Sequence, residues 1–167
     1  MPNPSHRLDL LITPNEAERE VGWDAVDAVV GRWEQMGALV GDRPGPEVDR
    51  LVRGGFERFW VERAQRVRLF GNQQGGFYTT CPQTGGNIAA CFQRALLHWR
   101  TGGERALSCP ECGGEHALEA LTYRPEVAFA RGAVVFSAVQ SVQPEPLVLT
   151  DLEGPFGAVR VIHRRVG

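Results

Sequence analysis

Apolar residues along this chain fall into two spacings, and each change of spacing marks a change of element. Residues 7–12 form a short apolar run that reads as a strand. Thr13-Pro14-Asn15-Glu16 then carries the chemistry of a helix start: a hydroxyl cap, proline at the first position and a glutamate reaching back. Beyond Gly22, the residues Val26, Val30, Trp33, Gly37 and Val40 share one face at helical spacing, which predicts a helix packed on a sheet. Residues 41–46 break the chain, and Pro46 opens a second predicted helix with the stripe Val48, Leu51, Val52, Gly55 and Phe59. Residues 64–70 alternate as a strand, and 77–80 return as another. A third helix is expected over 87–100, where Ile88, Cys91, Phe92, Ala95, Leu96 and Trp99 form one stripe ended by Gly102-Gly103. Residues 116–122, 133–139 and 158–164 read as strands, and the Pro- and Gly-rich stretch 141–157 as a loop. Trp23, Trp33, Trp60 and Trp99 lie on or beside predicted helices, as core residues do.

This order predicts an α+β fold, a mostly antiparallel sheet with helices packed on one face in ferredoxin-like fashion. At 167 residues the chain suits one domain, 1–167, with residues 78–121 as an insert within it. An apolar fraction of 43% and a charged fraction of 23% are ordinary globular values and exclude a disordered or fibrous chain. The net charge of −2 removes any global attraction to nucleic acid or anionic lipid. Residues 1–12 lack the layout of a secretory signal, and no apolar stretch approaches the ~20 residues of a membrane span. The expected location is a bacterial cytoplasm, where thiols stay reduced and four cysteines are metal ligands sooner than disulfides.

Cys109-Pro110-Glu111-Cys112-Gly113-Gly114 has the spacing of a metal knuckle, a tight turn whose amides face two thiolates. Tyr78-Thr79-Thr80-Cys81-Pro82-Gln83-Thr84-Gly85-Gly86 parallels it, with Thr84 where the second cysteine would stand. Over residues 78–121 the chain therefore resembles a zinc ribbon, in which paired Cys-Pro-x-Cys-Gly knuckles hold one ion. The resemblance implies a structural Zn2+ on Cys81, Cys109 and Cys112. Cys91, early in the third predicted helix, is the preferred fourth ligand because the set then uses every cysteine, and His116 is the alternative.

Other chemistry finds less support. A glutaredoxin-like thiol site would need a helix beginning at Gly113-Gly114, a nucleobase deaminase a His-x-Glu upstream, and a phosphate-binding loop a lysine that this chain lacks altogether. Cys91 and His98 are separated by two helical turns, ~10 Å, too far for proton transfer. Residues 49–68 hold six arginines against three acids, so Arg63, Arg66 and Arg68 are candidates for binding a partner or nucleic acid. The expected function is a non-enzymatic, zinc-stabilised protein-binding module, an adaptor or an inhibitor of the immunity-protein kind, whose partner is another protein and not a membrane. The alternatives are a nucleic-acid-binding zinc-ribbon protein and a thiol redox protein using Cys109 and Cys112.

Overall fold

The computed structural model describes residues 7–73 and 76–167. The chain divides into two compact units, one made of residues up to 75 together with 128–167, the other of 76–127. In chain order the first unit holds β1 (Arg7–Pro14), α1 (Trp23–Gln35), β2 (Leu39–Val40), β3 (Arg43–Pro44) and β4 (Arg58–Phe70). The second holds β5 (Tyr78–Thr80), α2 (Ala89–Arg100), β6 (Ala106–Ser108), β7 (Glu115–Ala117) and β8 (Thr122–Arg124). The first unit resumes with β9 (Ala128–Ser137), α3 (Pro146–Phe156) and β10 (Val159–Val166).

The four long strands form an antiparallel sheet in the order β10-β1-β9-β4. With α1 after the first of them and α3 after the third, the first unit follows the β-α-β-β-α-β path of the ferredoxin-like arrangement, so the protein is α+β as expected. Both helices lie on one face. Val26, Val29 and Trp33 of α1 and Val148, Leu152 and Phe156 of α3 share a core with Leu10, Ile12, Phe59, Val134 and Phe136 of the strands. Trp33 is fully buried, and its indole N–H donates to Asp151 at 2.8 Å, tying the two helices together. Leu11, Val135 and Ile162 are buried on the opposite face, so central β1 is covered on both sides and reads as a nearly continuous apolar run. Asp9 lies on that second face, fully buried and held by Arg7 at 2.9 Å and Arg164 at 3.5 Å.

Three local expectations are corrected. The Thr13-Pro14 helix start is instead the end of β1, because Thr13 and Pro14 pair with Arg160 and Val159 of β10, and the helix begins only at Trp23. The predicted helix from Pro46 reduces to a 3-10 turn at Val48–Arg50. There Gly54 and Gly55 take φ of 82° and 79°, outside helical space, and Asp49 accepts the Gly54 N–H at 3.0 Å. The stripe residues Leu51, Val52 and Phe59 are buried all the same. The stretch 141–157 contains α3, which starts with Pro146 in its first turn and tolerates Pro155 in its last. Of the tryptophans expected in the core, Trp33 is buried and Trp23, Trp60 and Trp99 are half-buried. Among the described residues no helix is long and apolar enough to cross a membrane.

The second unit is built from two small ribbons and α2. Strand β5 pairs with β8 and β6 with β7, both antiparallel. Its interior holds Ile88, Phe92, Leu96, Leu107, Leu118, Leu121 and Tyr123. The rings of Phe77, Phe92 and Tyr123 meet edge to face, with centroids 5.4 to 5.8 Å apart. Burial, with the charge of Glu119 nearby, pushes the Tyr123 hydroxyl well above its ordinary range, and that hydroxyl donates to the Leu118 carbonyl.

Candidate metal centre

Strand β5 delivers Cys81 and strand β6 delivers Cys109, each as the first residue of a tight turn. The two turns close in the same way. Cys81 N–H donates to Gly86 O at 2.9 Å and Gly85 N–H to Cys81 O at 2.8 Å. Cys109 N–H donates to Gly114 O at 2.8 Å and Gly113 N–H to Cys109 O at 2.9 Å. Gly85 and Gly113 have φ of 73° and 74°, left-handed values that explain why both turns carry glycine there. The second turn hands the chain to β7, where His116 pairs with Leu107 across the ribbon and so stands beside the cysteines.

The sulfurs of Cys81, Cys109 and Cys112 and a ring nitrogen of His116 all lie within 4.8 Å of one another. Cys112 Sγ and His116 Nε2 are 3.1 Å apart. Donors bound at ~2.0–2.3 Å around a tetrahedral cation stand ~3.5–3.8 Å from each other, so this spacing suits a single ion. Cys81 and Cys109 are buried, and Cys112 and His116 are half-buried at the rim. The four residues could therefore hold a metal ion, with every donor supplied by the protein.

The surroundings of the sulfurs are polar where they need to be. The Thr84 hydroxyl, with the Thr84 and Gln83 amides, stabilises the Cys81 thiolate and lowers its pKa to about 6 against the opposing effect of burial. At Cys112 the Gly114 amide pulls the thiol down, but burial and the thiols of Cys109 and Cys81 together outweigh it and the net shift is upward. The two turns also approach closely: a Cβ on Gly86 would fall 2.7 Å from the Glu111 carboxylate.

No protein family, curated protein or solved structure matches this chain. The chemistry of the centre is accordingly argued from its own residues.

Cys91, the preferred fourth ligand, is not in the group. It sits one turn into α2, and its thiol donates to the Ser108 carbonyl at 3.5 Å. His116, the alternative, stands with the three cysteines instead. Arg63, Arg66 and Arg68 are all exposed on β4. Arg63 bonds Asp27 at 2.7 Å and lies over the Trp23 ring, and Arg68 lies over Phe70 at 5.7 Å. Arg66 is exposed in the stretch where the β4 register slips between Arg63 and Arg68. The role of Thr84 beside Cys81 had a sequence signal, its place opposite Cys112 in the parallel turns, but the hydroxyl's contact with a sulfur is visible only in three dimensions.

Proposed function

We propose that residues 76–127 form a zinc-stabilised module in which Cys81, Cys109, Cys112 and His116 bind one structural Zn2+, and that the protein acts without catalysis, by binding another protein in the cytoplasm as an adaptor or immunity-type inhibitor. The observation that carries the reading is the gathering of four donors within 4.8 Å. Three thiolates and an imidazole are the ligand chemistry of zinc, and four protein donors leave no coordination place for a substrate or an activated water. A site of that kind fixes a surface. The module presents Tyr78 to solvent at 77% exposure, a residue type enriched at protein interfaces, with Leu97 exposed at 64%.

The nucleic-acid reading has less support, because the net charge is −2 and, of the three exposed arginines, Arg63 is paired with the opposite charge of Asp27. A redox role for Cys109 lacks the helix N-terminus that would activate it, since Gly113 and Gly114 lead into β7. Elemental analysis of protein purified without added metal should find about one zinc per chain, the closed four-ligand stoichiometry. Affinity purification should recover one protein in equal amount. Metal-free native protein would end the zinc reading, and RNA binding that weakens steeply with salt would replace the protein partner with a nucleic acid.

A further inference from the structure

The two turns share one pattern of backbone hydrogen bonds and differ at two side chains, Gln83 against Glu111 and Thr84 against Cys112. In each, the second glycine's amide donates to the heteroatom of the residue two before it: Gly114 N–H to Cys112 Sγ at 3.4 Å, Gly86 N–H to Thr84 Oγ1 at 3.1 Å. Thr84 Oγ1 thus holds in the first turn the place that a donor sulfur holds in the second. Accepting from Gly86 leaves the Thr84 hydroxyl its own proton to donate, and the Cys81 sulfur, the first donor of the same turn, is the neighbour it serves. A neutral hydroxyl is not among the protein ligands zinc takes, so an oxygen at this place supports a neighbouring thiolate instead of binding the ion. The fourth donor then comes from the other turn, through His116, whose Nε2 is 3.1 Å from Cys112 Sγ.

We propose that Thr84 determines the composition of the metal site: as threonine it positions the Cys81 sulfur and leaves the fourth place to His116, and as cysteine it would complete an all-thiolate site that does not need His116. This rests on the metal reading above. The matching hydrogen bonds give residues 84 and 112 the same place within their turns, so a sulfur at 84 would enter an unchanged turn backbone. Exchange of the hydroxyl for a thiol, with loss of the threonine methyl, separates the two states.

The test uses the full chain with Co2+ as a spectroscopic stand-in for zinc. His116→Ala should weaken cobalt binding severely, and Thr84→Cys with His116→Ala should restore it. In the double variant the sulfur-to-cobalt charge-transfer band should be about one-third stronger than in the native protein, as four thiolates replace three. Thr84→Val should weaken binding by about 10- to 100-fold, the usual cost of losing an outer-shell partner, and Thr84→Ser should bind as the native protein does. A double variant that folds and binds no better than His116→Ala overturns the proposal. So does equal affinity in Thr84→Val and Thr84→Ser, a comparison that remains decisive if the double variant does not fold. Native protein that binds neither cobalt nor zinc would instead defeat the metal reading itself, whereas native binding without rescue defeats this proposal alone.

Discussion

Stripping the metal from the intact chain should unfold residues 76–127 and leave the sheet of the first unit standing. The segment is about 50 residues, a size at which a hydrophobic core supplies no more than ~3–5 kcal/mol. Its interior is a handful of side chains around the Phe77, Phe92 and Tyr123 rings, with ribbons of three residues a strand. A structural zinc of this donor class contributes an apparent ~10–16 kcal/mol near neutral pH, several times what the core can supply. The first unit has its own core, from Leu10 to Phe156, and contains none of the four donors. Hydrogen exchange read peptide by peptide, with metal content followed in parallel, measures the two regions separately. With a chelator, peptides over α2, β6 and β7 should exchange as unfolded chain while those over β1 and β9 keep their protection. Full removal of the metal with protection intact over 76–127 would refute the reasoning, because the core alone would then suffice.

Three further outcomes follow from the same geometry. Cys91→Ser should keep native zinc content and native melting, since its thiol bonds the Ser108 carbonyl and stands outside the four-donor group, whereas His116→Ala should lose more affinity than the ~10- to 100-fold of an outer-shell change; competition with a chelator of known affinity ranks the two. Apparent zinc affinity should rise with pH, because Cys112, pushed upward, must give up a proton on binding, and it should fall more steeply below about pH 6, where Cys81 also protonates; titrations at a series of pH values check the sign, and a flat profile would contradict it. Trp33→Phe should cost ~1–3 kcal/mol in denaturant unfolding of the first unit, since it leaves the Asp151 carboxylate without its 2.8 Å indole donor; a change below ~0.5 kcal/mol would assign that bond no weight.

How far the chain could be read depended on whether local and long-range forces agreed. The stripe of α2 was legible because its apolar residues recur at helical spacing over three turns, whereas that of α1 was legible only as far as Trp33: the helix ends at Gln35, Gly37 turns left-handed at φ 79°, and Val40 lies exposed in β2. The helix expected from Pro46 was not there because the same stripe residues are buried by an irregular segment whose two glycines turn left-handed, and burial alone does not fix a backbone. α3 was hidden by composition: Pro146, Gly154 and Pro155 look like loop residues, yet the first proline suits an opening turn and the rest lie near the end. At the metal centre, Cys109, Cys112 and Cys81 were legible from the repeated Cys-Pro turn. The fourth donor was not, because sequence counts cysteines, while the pairing of Leu107 with His116 decides which side chain stands beside them.

Phe70 and Ala128 are cross-strand partners at the end of β4 and β9. The 71–127 excursion therefore leaves the sheet and rejoins it at neighbouring points, as a hairpin turn does, and its first residues still serve the sheet, since Gln73 N–H donates to Arg165 O at 3.3 Å and Arg165 N–H to Asn72 Oδ1 at 2.7 Å. A short Gly-rich bridge in place of residues 76–127 should yield a smaller protein with the same four strands. If so, the part that carries the four candidate donors is a cassette: it can be cut out, or replaced by another closed loop, and the order β10-β1-β9-β4 should persist.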